Sequence, residues 1–111
     1  MGEEKLRQLR ALGVEPPMKL PEEYIDHLRS FLEGFDFMKL GQAVNRKRWE
    51  SAMMTIRRME RRSDELGLVC FQRGFAGIRQ AVVRKDALLA KQLLAAVIQK
   101  RVKLLKELRD A

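Results

Sequence analysis

From Lys47 to Gly67 the apolar positions fall on a helical period. Trp49, Ala52, Met53, Ile56, Met59, the small Ser63 and Leu66 recur at offsets of three, four and seven, which on a 3.6-residue turn makes one continuous stripe. The spacing predicts a long central helix with one side buried. Rotated from that stripe by about a hundred degrees, Arg57, Glu60, Arg61 and Asp64 repeat the same spacing, so a charged band stands beside the core stripe and faces outward.

The patterns on either side predict further helices. Residues 3–12 align Leu6, Leu9 and Leu12 behind Glu3 and Glu4, acids suited to the positive end of a helix, and Gly13 supplies a stop. All three prolines then fall between Glu15 and Pro21, giving an extended linker whose last proline starts the next helix. That helix, 21–33, carries Tyr24, Ile25, Leu28, Phe31 and Leu32 on one face, and Gly34 fits its C-terminal cap. Asp36 reads as an N-cap, with Phe35 packing on Leu40 as a hydrophobic staple, for a helix running to about Asn45. Asn45-Arg46-Lys47-Arg48 is then the turn before the central helix. Its three cations stand where a helix start ordinarily favours acid, which points to a basic functional surface.

After Gly67, residues Leu68, Phe71, Phe75, Ile78 and Val82 form another stripe, ending at Arg84-Lys85. Gly74 and Gly77 within it lower helix propensity by about 1 kcal/mol each relative to Ala, so close approach of a neighbouring helix is their expected reason. Asp86 is placed to cap a last helix, Ala87 to about Arg109, roughly 34 Å long at its ordinary rise. Leu89, Leu93, Val97, Lys100 and Leu104, with Leu94, Ile98, Val102, Leu105 and Leu108 beside them, give it a wide side suited to two neighbours.

Composition sharpens the fold class. Leu, Ala, Arg, Lys, Glu and Met dominate and aromatics make up only 6% of the 111 residues, which favours helices over sheets. One all-α domain over 1–111 is expected, long enough to bury a core without disulfides or metal. Cys70, the only cysteine, lies beside Phe71 in an apolar stretch and reads as a small core residue rather than a nucleophile. The charged opening (GEEKLRQLR) lacks a leader pattern, so a cytoplasmic location is expected. The longest apolar run, Leu93 to Ile98, has six residues, against the roughly 20 that cross a bilayer. No membrane span is expected.

The net charge of +8 is unevenly spread. Residues 1–45 hold six basic and eight acidic residues, whereas 46–111 hold seventeen and seven. Such a field draws phosphates, acidic lipid headgroups or an acidic protein surface, and a merely solvating surface is the plain alternative. Catalytic chemistry is not indicated. No His/Cys/Asp/Glu set has metal-ligand spacing, no Ser or Cys has a plausible histidine partner nearby in sequence, and Gly74 and Gly77 lack the preceding strand and following Lys-Ser/Thr of a phosphate loop. No enzymatic activity, cofactor or metal is expected. The single histidine, His27, reads as an exposed or partly packed helix residue.

An ordered series of framework residues carries a resemblance: Leu9-Arg10-Ala11-Leu12-Gly13-Val14, Phe37 to Leu40, Trp49-Glu50, Leu66-Gly67 and the Lys85-Asp86 turn. In these the chain resembles the bacterial histidine-containing phosphotransfer domain, above all its small stand-alone versions. The resemblance implies an antiparallel four-helix bundle over 35–111, preceded by one or two short helices and a proline-rich linker in 1–34. The family's motif is an accepting histidine followed by x-Leu-Lys-Gly, about ten residues before a Leu-Gly pair. Counted back from Leu66-Gly67, Arg57 stands at the histidine, Met59 at the leucine, Glu60 at the lysine and Arg61 at the glycine.

Those replacements remove the chemistry. A guanidinium stays protonated and is a poor nucleophile, Glu60 reverses the supporting charge, and Arg61 fills the open approach. The resemblance thus implies a degenerate domain that binds a response-regulator receiver domain or a histidine kinase without accepting phosphate, through Arg57, Arg58, Glu60, Arg61, Arg62 and Asp64. His27 lies on a different predicted helix, far in sequence from that motif. Two rivals stand beside this reading. One is a basic helical module for nucleic acid, built on Arg46-Lys47-Arg48, Arg57-Arg58 and Arg61-Arg62, without recognisable helix-turn-helix spacing. The other is a self-associating bundle in which the arginines pair with Glu60, Asp64 and Glu65.

Overall fold

A computed structural model describes residues 3–17 and 23–109, all helix, turn or irregular backbone with no strand among them. Among the described residues the helices are α1 (Glu3–Ala11), α2 (Tyr24–Glu33), α3 (Asp36–Asn45), α4 (Trp49–Glu65), α5 (Gln72–Val83) and α6 (Ala87–Arg109), with a 3-10 turn at Val69–Phe71 before α5. The all-α class is therefore as expected. α2 begins at Tyr24 rather than at Pro21, because Glu23 before it is left-handed (φ 63°); Pro21 itself lies outside the described residues. Among the described residues, no helix is long and apolar enough to cross a membrane.

Four of these helices end where the backbone turns left-handed. Lys47 and Lys85 (both φ 56°) and Gly13 and Gly67 (φ 87° and 75°) stand just past α3, α5, α1 and α4. At the start of α6, Asp86 Oδ1 accepts the Leu89 N–H at 3.1 Å, the expected cap. The predicted stripes become the core. Ala52, Ile56, Met59, Ser63 and Leu66 of the α4 stripe are buried, as are Leu68, Phe71, Phe75, Ile78 and Val82 along α5 and the turn before it.

α3 packs on α4, α4 on α5, α5 on α6 and α6 back on α3, while α1 and α2 also lie against α6. The glycines of α5 explain its closeness to α6. A Cβ at Gly74 would stand 2.5 Å from Val97 Cγ2, and one at Gly77 3.0 Å from Leu93 Cδ1. Where the helices converge, Phe37 of α3 meets Phe31, Phe71 and Phe75 at centroid distances of 5.7, 6.2 and 6.3 Å. The Arg101 guanidinium sits 5.2 Å above the Phe37 ring and donates to the Leu32 carbonyl, so a cation closes this aromatic cluster.

The N-terminal segment is strapped across the end of α4. Glu15 N–H donates to Gly67 O at 2.7 Å and Cys70 N–H to Gly13 O at 2.9 Å. Lys5 pairs with Glu107 at 3.2 Å, and the buried Tyr24 hydroxyl donates to the Leu66 carbonyl. Burial pushes the Tyr24 phenol from 10.0 up to about 12, because phenolate would lose its hydration there. The folded state thus holds this proton more tightly than the unfolded one, and the associated stability is complete below pH 10 and lost as pH rises toward 12. Urea titrations across that window are expected to show a loss of roughly 2–3 kcal/mol that Tyr24→Phe does not share.

Several local expectations are corrected. Phe35 is 73% exposed rather than stapled to Leu40. It is itself the N-cap residue of α3, with no side-chain cap bond, and the Asp36 carboxylate turns instead to Arg58. Gly34 does cap α2, but in extended geometry (φ −69°, ψ 163°) rather than left-handed. The wide side of α6 is shared among α5, α3, α2 and α1 rather than two neighbours. Even so, Leu89, Ile98 and Val102 stay exposed, and Lys100 leaves the apolar stripe to donate to Cys70 O at 3.1 Å. Cys70 is half-buried and packs against the core.

Candidate partner-binding face

α4 presents its charged band to solvent beside the stripe taken by the core, but the band is less free than its sequence implies. Arg58 makes a two-pronged contact with Asp36 of α3, Nη2 to Oδ1 at 2.7 Å and Nε to Oδ2 at 3.1 Å. This bonding raises the Arg58 pKa above its ordinary value and ties α4 to α3. Glu60 is half-buried and accepts from Arg79 Nε of α5 at 2.8 Å, so its carboxylate is turned toward α5. Arg62 pairs with Glu65 at 3.2 Å one turn along.

Arg57, Arg61 and Asp64 remain exposed, and among the described residues they make no ion pair. Arg57 and Arg61 stand one helical turn apart, a like-charge spacing that disfavours the helix by about 0.2–0.5 kcal/mol. Folding gains nothing from that pair. An incoming carboxylate or phosphate would offset the repulsion, and a guanidinium suits it by offering parallel donors. Met54, 65% exposed, stands three residues before Arg57 on the outer side of α4.

Beside the band, the α4 surface and Lys39 of α3 border an open groove of about 700 Å³, bounded by Lys39, Arg48, Trp49, Ser51, Met54 and Thr55, with Glu50 and Arg58 also on its wall. A smaller recess of about 120 Å³ continues from it past Gln42, Ala43 and Arg46, sharing Lys39, Arg48, Ser51 and Thr55. The turn that joins the two helices is tight. Arg46 N–H donates to Gln42 O at 2.9 Å, Lys47 N–H to Val44 O at 3.1 Å and Arg48 N–H to Ala43 O at 2.8 Å. Thr55, buried on α4, donates to Ser51 O at 2.9 Å and lines the groove.

The sequence marks Arg46-Lys47-Arg48 by their charge but gives no such mark to Lys39, Ser51 or Thr55. Met54 carried a signal, being an apolar residue off the core stripe. Lys39 carried none, since its partner helix is set by tertiary packing. His27 was set apart by its distance in sequence, yet its Nδ1 lies 3.4 Å from Arg62 Nη2, so α2 brings the imidazole to the end of the band. Burial pushes the Cys70 thiol up, against the pull of Lys100, which makes it a weak nucleophile at neutral pH. Among the described residues, no three His, Cys, Asp or Glu side chains gather as a metal site would require. No protein-family model, curated protein or solved structure matches this chain.

Proposed function

We propose that this chain is an adaptor of phosphotransfer-domain type, which docks an acidic protein surface, such as a response-regulator receiver domain or a histidine kinase, without accepting phosphate. On this reading α3 to α6 form an antiparallel four-helix bundle, with α1 and α2 appended. The cyclic packing of α3, α4, α5 and α6 supports that arrangement. The observation that carries the docking reading is the exposed Arg57 and Arg61, cations on the long α4 without an ion pair among the described residues. Arg58, Glu60 and Arg62 serve on this reading mainly to position that face, since their charges are already engaged within the fold.

The test is titration with receiver domains at low salt. The double variant Arg57→Glu, Arg61→Glu is expected to weaken a complex about 10- to 100-fold, chiefly through the association rate, with the difference narrowing as salt rises. No complex at high micromolar concentration would sink the reading. Phosphate uptake by the native chain from an aspartyl-phosphorylated receiver would remove its second half and make His27, near the band, the first residue to replace.

A further inference from the structure

The groove between α3 and α4 combines two chemistries in one concavity. Trp49, half-buried against the core, and the exposed Met54 give the larger part an apolar and aromatic surface. Around the smaller recess stand Lys39, Arg46 and Arg48, none in an ion pair among the described residues, with the Ser51 hydroxyl and Gln42 amide beside them. Four residues border both parts, so the apolar and cationic surfaces are continuous. The groove is open to solvent, and its volume of about 700 Å³ lies within the range typical of small-molecule sites. The short turn at Arg46–Arg48 and the Asp36–Arg58 pair fasten α3 to α4 beside it.

We infer that the α3–α4 groove binds a small organic anion, its flat apolar body against Trp49 and Met54 and its oxyanion head between Lys39, Arg46 and Arg48. The charge balance selects the sign of the head: three unpaired cations face it, whereas Glu50 lies on the wall of the larger part and is absent from the smaller recess. An aromatic body fits because the groove is lined by the indole of Trp49 and the conformable thioether of Met54. This inference does not depend on protein docking through Arg57 and Arg61.

Its test uses naphthalene-1-sulfonate as the probe, naphthalene-1-methanol as its neutral counterpart and inorganic sulfate as the bare head, followed by amide and indole NMR shifts. The sulfonate is expected to give saturable shifts at the Trp49 indole N–H and at the amides of Lys39, Ser51 and Thr55. The neutral compound should bind about tenfold more weakly, as should the sulfonate to Lys39→Glu or Arg48→Glu, both surface changes whose folding circular dichroism can verify. Arg57→Gln with Arg61→Gln should alter this affinity less than either charge reversal at the groove does, which separates the site from the docking face. Four results would each overturn the inference: no saturation, equal binding of the neutral compound, equal binding of bare sulfate, or the strongest shifts along the exposed Ile98 and Val102 of α6.

Discussion

Truncating Phe37 to alanine is expected to cost about 4 kcal/mol of folding stability and to lower the melting temperature by roughly 15 °C. The ring is 4% exposed and joins elements distant in the chain, touching Phe31 of α2, Phe71 of the 3-10 turn and Phe75 of α5 while Arg101 of α6 covers its face. Its removal leaves a cavity that no one helix can close, because each wall is held by a different neighbour, and it strips the Arg101 guanidinium of the aromatic face it covers. Phe35, two residues earlier and 73% exposed, is the matched control, and Phe35→Ala should change stability by less than about 0.5 kcal/mol. Paired urea denaturation curves decide the matter: equal midpoints for the two variants would show that the cluster does not organise the fold.

Gly67→Ala is expected to cost about 3 kcal/mol, a large effect for one methyl group. The residue sits at φ 75°, and a Cβ there would lie 1.8 Å from the Glu15 carbonyl oxygen and 2.7 Å from its carbon. Both atoms are backbone, so no side chain can swing aside. The strap must lift, and the Glu15 to Gly67 bond, with the Cys70 to Gly13 bond beside it, is lost or stretched. Amide exchange at Glu15 and Cys70 is the specific readout, and both should lose protection even where the rest of the variant stays folded. Gly34→Ala separates left-handed geometry from simple crowding. Gly34 has an ordinary φ of −69°, its added Cβ would stand 3.1 Å from Ser30 O, and its cost should stay below about 1 kcal/mol. Equal losses in the two variants would contradict this account of the strap.

The distribution of ion pairs decides which cations are available to a partner. The bidentate Arg58–Asp36 contact and the Arg79–Glu60 contact fasten α4 to α3 and α5, so changes there mix binding with stability. Arg57 and Arg61 on the outer face and Lys39, Arg46 and Arg48 at the groove are surface residues. Their charges can be reversed at little expected cost to folding, which lets docking be tested apart from the integrity of the helices.

The sequence by itself determined the helices, most of their ends and, α6 excepted, which side of each is buried. That information is local, since a 3.6-residue period, a capping Asp86 and breaks at Gly13 and Gly67 act within a turn or two of chain. It also anticipated the crowding at Gly74 and Gly77, because glycine inside a helix carries a local cost that only a neighbour offsets. What only the tertiary structure decided is how charges and aromatics are shared between helices. Asp36 looked like a cap because capping is the nearest use for an acid at a helix start, yet Arg58 lies within reach across the α3–α4 contact and outcompetes the backbone. Phe35 and Phe37 are equally apolar in the sequence, and only the direction of α3 places one outside and the other at the centre. Glu60 belonged to an outward band by its spacing, until α5 placed Arg79 beside it. The groove was hidden for the same reason: Lys39 and Thr55 are sixteen residues apart and become neighbours only when two helices fold against each other.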